Sequence, residues 1–146
     1  MQTATQTAEQ ITDGEDEATR ASAIVEAFLI ASMVPDPETA ATYMAEGVDI
    51  TFTGGRKFAH PREASAFNAG RYKWVKKQMD SFDVSPGDGQ TVVYSMGSLY
   101  GEWPDGAQFS GNRYVDRFVV VNDKIVKMDV WNDSAERILN QRGITA

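Results

Sequence analysis

An acidic residue sits where an aliphatic one would be expected. Asp116 lies between Tyr114 and Phe118, inside the largely apolar run from Gln108 to Val121. That run reads as a β-strand, and a carboxylate buried in a sheet is costly without a partner. Such an acid either meets a cation or is held for proton transfer. Arg71, Arg113 and Arg117 are the candidate ion-pair partners. For proton transfer, the hydroxyls of Tyr94 and Tyr114 could stabilise negative charge on a ligand oxygen. His60, the one histidine of the chain, could shuttle a proton. Asp116, Tyr114, Tyr94 and His60 form the candidate catalytic set, with types suited to acid–base chemistry on an oxygen-bearing molecule.

The segment Gln90 to Asn132 must position them, and it reads as three long antiparallel strands. Thr91 to Trp103 runs out, Pro104-Asp105-Gly106 turns the chain, and Gln108 to Val121 returns. Proline pre-sets the first turn position and glycine supplies a positive φ. A second turn at Asn122-Asp123-Lys124 leads into Ile125 to Asn132. With a three-residue first loop, Trp103 faces Ala107 and Asp116 faces Tyr94. Side chains alternate along strands, so Tyr94, Met96, Ser98 and Tyr100 share a face with Asn112, Tyr114, Asp116 and Phe118. Val93, Ser95, Gly97 and Leu99 take the other face with Val115, Arg117 and Val119. On the last strand, Val126, Met128, Val130 and Asn132 form the inward set. The first face mixes aromatic rings with hydroxyls, an amide and one acid, as a small-molecule pocket does. Trp103 and Trp131 fall on the opposite face, which implies a covered surface there and hence a homodimer interface.

Upstream, residues 1–14 are rich in Thr, Gln and Ala and read as a flexible tail. A helix is predicted from about Glu15, with Ala23, Ile24, Ala27, Phe28 and Ala31 on one apolar face, stopping at Pro35. Asp36 caps a short helix predicted over Pro37 to Ala45, which offers Tyr43 for packing and ends at Gly47. Val48 to Thr53 alternates as a strand with Ile50 and Phe52 on one face. Arg56 to Ala59 makes a second short strand. A third helix is predicted from Pro61 to about Gln78, with Ala64, Phe67, Arg71, Trp74 and Val75 inward and Lys73, Lys76 and Lys77 on its wet side. Met79 to Val84 reads as another strand, and Ser134 caps a last helix through about Gln141. Helices followed by hairpin-linked strands define an α+β domain, 15–146. In it a strongly curved antiparallel sheet wraps the N-terminal helices and one long helix as an open cone. The ligand-binding set is Phe28, Tyr43, Phe52, Phe67, Arg71, Trp74, Met96, Tyr100, Asn112, Met128, Val130 and Asn132.

A chain of 146 residues can bury about 70% of its unfolded surface, enough for a core and an internal pocket. The net charge of -7 argues against a nucleic-acid partner, which would need a basic patch. The absence of cysteine excludes disulfides and thiolate chemistry. With a single histidine, no zinc or other metal site is expected, and no cofactor is implied. No basic segment followed by an apolar run marks a signal peptide, and no run is long enough to span a bilayer. A cytoplasmic protein with no membrane partner is the expectation.

Three groups of residues carry a family likeness. Tyr43-Met44-Ala45-Glu46-Gly47-Val48-Asp49-Ile50 joins the short helix to the first strand. Asn112-Arg113-Tyr114-Val115-Asp116-Arg117-Phe118 leads to Asp123-Lys124-Ile125, and then to Trp131-Asn132-Asp133. From about Glu17 to Gln141 the chain resembles the nuclear transport factor 2-like superfamily, in its ketosteroid-isomerase-like and polyketide-cyclase-like branch. The resemblance implies a cone-shaped, cystatin-like α+β fold, a homodimer packed sheet to sheet, and a ligand cavity between sheet and helices. Asp116 would match the acid that hydrogen-bonds a developing enolate oxygen in the isomerases. The isomerase general base falls at Thr51, which cannot act as one, and the catalytic tyrosine falls near Phe28, so steroid isomerisation is not expected. Epoxide hydrolases of the superfamily set an Asp-Arg-Asp group around water, which Asp116 and Arg71 match in part. Polyketide cyclases pair an acid with a histidine, here His60. The resulting expectation is a cofactor-independent isomerase, cyclase or dehydratase. It would act through Asp116 on a small, apolar, oxygen-bearing substrate. The alternatives are a non-catalytic ligand-binding or dimeric interaction protein, and an epoxide-hydrolase-like enzyme.

Overall fold

The computed structural model describes residues 13–144. The predicted tail lies outside the described residues, except for Asp13 and Gly14, which open the first helix. Helix α1 (Asp13–Met33) buries Ala21, Val25, Phe28 and Leu29, a stripe at helical spacing. This face is turned from the predicted one, since Ala23 is exposed and Ile24 and Ala27 are only half-buried. Val25 and Leu29 remove more apolar surface from water than the alanines they displace.

Asp36 caps α2 (Pro37–Ala41) by accepting the Thr39 N–H at 3.2 Å and the Thr39 hydroxyl at 2.7 Å. The helix is shorter than predicted because Met44 already belongs to strand β1 (Met44–Phe52). Gly47, at φ 79, lies within that strand rather than after the helix. Val48 and Ile50 are buried, and Phe52 half-buried, on the inner face, as the alternation predicts. A tight turn leads to β2 (Arg56–Phe58), which pairs back on β1.

Helix α3 (Pro61–Arg71) ends well before the predicted Gln78. The chain instead enters β3 (Trp74–Gly87), which pairs with β4 (Gln90–Glu102) from Trp74 opposite Glu102 to Gly87 opposite Gln90, with a one-residue register shift at Asp80. Val75, Lys77 and Met79 recur at period two, and Gly70 weakens the helix just before the switch. Strands β5 (Gln108–Val121) and β6 (Lys124–Asn132) follow, then α4 (Ser134–Gln141). The sheet order is β2-β1-β6-β5-β4-β3. One pair, β1 with β6, is parallel, so the curved sheet is mixed rather than wholly antiparallel. The buried face of α1 packs with residues of β1, β4, β5 and β6 in the main core, where Phe28 meets Phe118 edge-on at 5.8 Å.

The Pro104-Asp105-Gly106 turn forms as predicted, with the Trp103 N–H bonded to the Ala107 carbonyl at 2.9 Å and the Gly106 N–H to the Trp103 carbonyl at 2.8 Å. The register then shifts. Gly101 faces Phe109 but Leu99 faces Asn112, so Ser110 and Gly111 together oppose Tyr100. Gly111 has φ 80, the left-handed conformation of a bulge glycine. The extra residue reverses the predicted parity, and Asp116 faces Ser95 instead of Tyr94. Trp103 is also corrected: it is buried among Tyr72, Leu99, Phe109 and Tyr114 rather than on the outer face.

Close approach of β3 to β4 depends on Gly97. A Cβ there would sit 1.9 Å from the Gln78 carbonyl oxygen. Gly97→Ala must push the strands apart beside Lys77, and overpacking of this kind costs about 1–3 kcal/mol. Urea denaturation should show the loss as a lower midpoint with an unchanged slope.

Candidate functional site

Asp116 is fully buried in the middle of β5, between Ser95 of β4 and Val130 of β6. Its Oδ2 accepts a hydrogen bond from the Lys77 ammonium, while its Oδ1 is buried with no hydrogen-bond partner. The three arginines considered as partners are engaged elsewhere. Arg113 holds Asp133 at 2.7 Å, Arg117 reaches Asp129 at 4.0 Å, and Arg71 lies over the Phe67 ring at 4.8 Å. Lys77 takes the role because residue 77 is on a strand. It faces Leu99, and so points to the concave side where Asp116 stands.

Tyr114 completes this group. The Lys77 Nζ lies 4.6 Å from its ring centroid, a cation–π distance. Its hydroxyl shares a hydrogen bond with Ser95 Oγ at 2.8 Å. Burial, opposed by the Ser95 bond and reinforced by the Asp116 and Asp80 charges, pushes the phenol up to about 12. It is therefore a neutral hydroxyl at physiological pH. Burial likewise raises the Asp116 carboxyl above the usual carboxylate range, against the downward pull of Lys77.

In front of this group lies a cavity of about 240 Å³, near the small end of ligand sites. Its walls come from Phe28 and Leu29 of α1, Ile50 and Phe52 of β1, Phe67 and Asn68 of α3, and Met128 and Val130 of β6. Lys77 is part of the wall, whereas Asp116 and Tyr114 stand behind it. The Lys77 side chain is 17% exposed and that of Asp116 0%, so a ligand meets the ammonium before the carboxylate. The end of α1 is fixed at this wall. Met33 accepts the Lys77 N–H on Sδ at 3.0 Å and the Lys76 ammonium on its carbonyl at 2.7 Å.

The ligand-binding set divides accordingly. Phe28, Phe52, Phe67, Arg71, Trp74, Met128, Val130 and Asn132 line the cavity. Tyr43 packs against the core. Asn112 is fully buried and donates to Ser134 Oγ at 3.2 Å. Tyr94, Met96 and Tyr100 lie on the outer sheet face, turned there by the Gly111 bulge. His60 lies at the start of α3, where its Nδ1 accepts the Arg62 N–H at 2.9 Å; it caps the helix and does not line the cavity. Thr51 alternates with Ile50 and Phe52 and points away from the cavity. Asp49, on that same outer side, is paired with Lys57 and Lys127. No carboxylate of β1 lines the cavity among the described residues. Lys77 itself was missed by sequence reasoning. Its signal was the period-two pattern Val75, Lys77, Met79, which a continued helix obscured.

No protein-family model matches the chain, and no curated protein matches it either. Solved structures do. A nuclear transport factor 2-like protein from Burkholderia pseudomallei K96243 superposes with a TM-score of 0.68 at 20% identity, over 87% of this chain and 98% of that one. A proposed SnoaL-like polyketide cyclase from Jannaschia sp. CCS1 gives 0.64 at 15% identity, over 84% and 91%. A proposed ketosteroid isomerase from Shewanella frigidimarina gives 0.62 at 13% identity, over 77% and 94%. The chain has the nuclear transport factor 2-like fold. No described helix is long and apolar enough to cross a membrane.

The Asp116 carboxyl should titrate above the usual value of about 4 in carbon-13 NMR. Lys77→Met removes the opposing pull and should move the midpoint higher still. Because the folded value is raised, the stability Asp116 contributes relative to Asp116→Asn is present at low pH. It is lost as pH climbs from the ordinary carboxylate range through the raised value. A wild-type midpoint at or below about 4 contradicts this account.

Proposed function

We propose that this chain binds a small, largely apolar, oxygen-bearing molecule in the cavity and acts on it without a cofactor, by acid–base chemistry at the Lys77–Asp116 pair. Isomerisation, cyclisation and dehydration are the reactions that need only these groups. The observation that carries the reading is a fully buried carboxylate whose one hydrogen-bond partner is a cavity-wall ammonium. Lys77 donates its proton to the ligand oxygen. The neutral amine left behind can take a proton from carbon on the same ligand, which supplies a base where β1 offers none. Asp116 is the positioning residue that holds the ammonium. The epoxide-hydrolase-like reading has less support, because Arg71 and Asp116 do not pair and no acid lines the cavity among the described residues.

The second reading is a binding module without chemistry. It is favoured by the apolar residues Ile50 and Phe52 on the cavity side of β1. Deuterium exchange at the α-carbon of small ketones such as 4-phenyl-2-butanone, followed by proton NMR, separates the two. A catalyst accelerates exchange, and Lys77→Met should slow it about 10²–10⁴-fold while the ketone still binds. Asp116→Asn should shift the pH profile of exchange as well as its rate. Binding without exchange in the wild type establishes the module instead.

The outer sheet face is the proposed homodimer surface. Tyr100 and Trp131 are 38% and 52% exposed there, beside half-buried Met96 and Val115. Trp131→Glu should convert a dimer to a monomer in analytical ultracentrifugation. A wild-type monomer at micromolar concentration removes the proposal.

A further inference from the structure

The charges around the cavity are not those of the chain. The protein carries a net charge of -7, yet the cavity is lined by Arg71, Lys73, Lys76 and Lys77 and by no aspartate or glutamate among the described residues. Two of these cations are matched within the chain: Lys77 by Asp116, and Lys73 by Glu102 at 3.6 Å. The other two are not. Lys76 bonds only a neutral carbonyl, that of Met33. Arg71 has no carboxylate within ion-pair distance among the described residues, and its guanidinium lies over the Phe67 ring. Arg56, equally without a carboxylate, lies over the same ring at 4.9 Å.

An acidic protein offers many carboxylates, yet half-buried Arg71 meets none among the described residues. Its place in the last turn of α3 suits the helix dipole, but that role requires neither an aromatic shelf nor a cavity. A guanidinium placed over a ring, with one N–H turned to the Tyr72 hydroxyl, keeps its remaining N–H donors for a carboxylate acceptor. The long-range field of the chain repels anions, so a negatively charged ligand needs local positive charge of this kind.

Accepting the ligand-cavity reading above, we infer that the molecule bound in the cavity is a small organic carboxylate. Its carboxylate lies on Arg71, and its compact apolar body lies against Phe28, Phe52 and Met128. The Arg71 fork matches a carboxylate, while the apolar walls and modest volume leave little room to solvate a more highly charged head.

The test uses three probes of one shape, cinnamate, cinnamamide and cinnamyl alcohol, with affinities from calorimetry and the site located by amide NMR shifts. Cinnamate should bind in the cavity about tenfold or more tightly than the amide or the alcohol, as a charge-assisted pair predicts. That margin should shrink at high salt. Arg71→Gln should abolish it and Arg71→Lys should keep part of it, with the affinity for cinnamate falling far more than that for the alcohol in Arg71→Gln. If the alcohol binds the cavity as tightly as cinnamate, the carboxylate assignment falls and the ligand cavity stands. A preference that survives Arg71→Gln overturns the role of Arg71. If no probe shifts cavity residues, the ligand reading falls with the inference.

Discussion

A carboxylate with no exposed surface can stay charged only if a cation comes to it. Among the described residues that constraint is met once, by Lys77 reaching across the concave side of the sheet to Asp116. Burying such a pair stabilises little, since desolvation offsets much of the attraction. Its consequence lies in position: the carboxylate fixes an ammonium at the wall of an otherwise apolar cavity. The group is also incompletely matched, because one carboxylate oxygen has no partner. Buried polar groups left unpaired cost free energy, and they gather where a protein acts rather than where it packs.

The geometry that brings the two residues together rests on three departures from regular structure. The bulge at Gly111 turns Asp116 to the inner face. The end of α3 at Arg71 releases Trp74 onward into a strand, so that Lys77 faces inward. The absence of a side chain at Gly97 lets the β3 backbone at Gln78 and Asp80 approach β4 closely. The same bulge sends Tyr94, Met96 and Tyr100 outward, and so the exposed aromatic patch and the buried acid have one cause.

Likeness to solved structures at 20% identity or below establishes the fold and no more. This fold serves many activities, so function has to come from the site. The site here differs from the isomerase pattern in having a lysine in front of the acid and, among the described residues, no acid on the cavity side of the first strand. A cavity rich in cations inside an acidic chain is a second local signature, independent of the first.

The order of elements, the cap at Asp36, the turn at Pro104-Asp105-Gly106, the α+β class and the place of Asp116 within an apolar strand were all legible in the sequence. Each is set by local propensity, by periodicity, or by the rarity of an acid in an apolar strand. Most of the cavity wall was legible too, since Phe28, Phe52, Met128 and Val130 follow from alternation within their own elements. The partner of Asp116 was not, nor was the face of β4. A bulge is a one-residue event with a weak sequence signal, yet it reverses every side chain beyond it. Whether 74–78 continues a helix or begins a strand was decided by pairing with β4, a contact between distant parts of the chain. Local sequence determined what each segment could be, and long-range backbone hydrogen bonding determined which side chains meet.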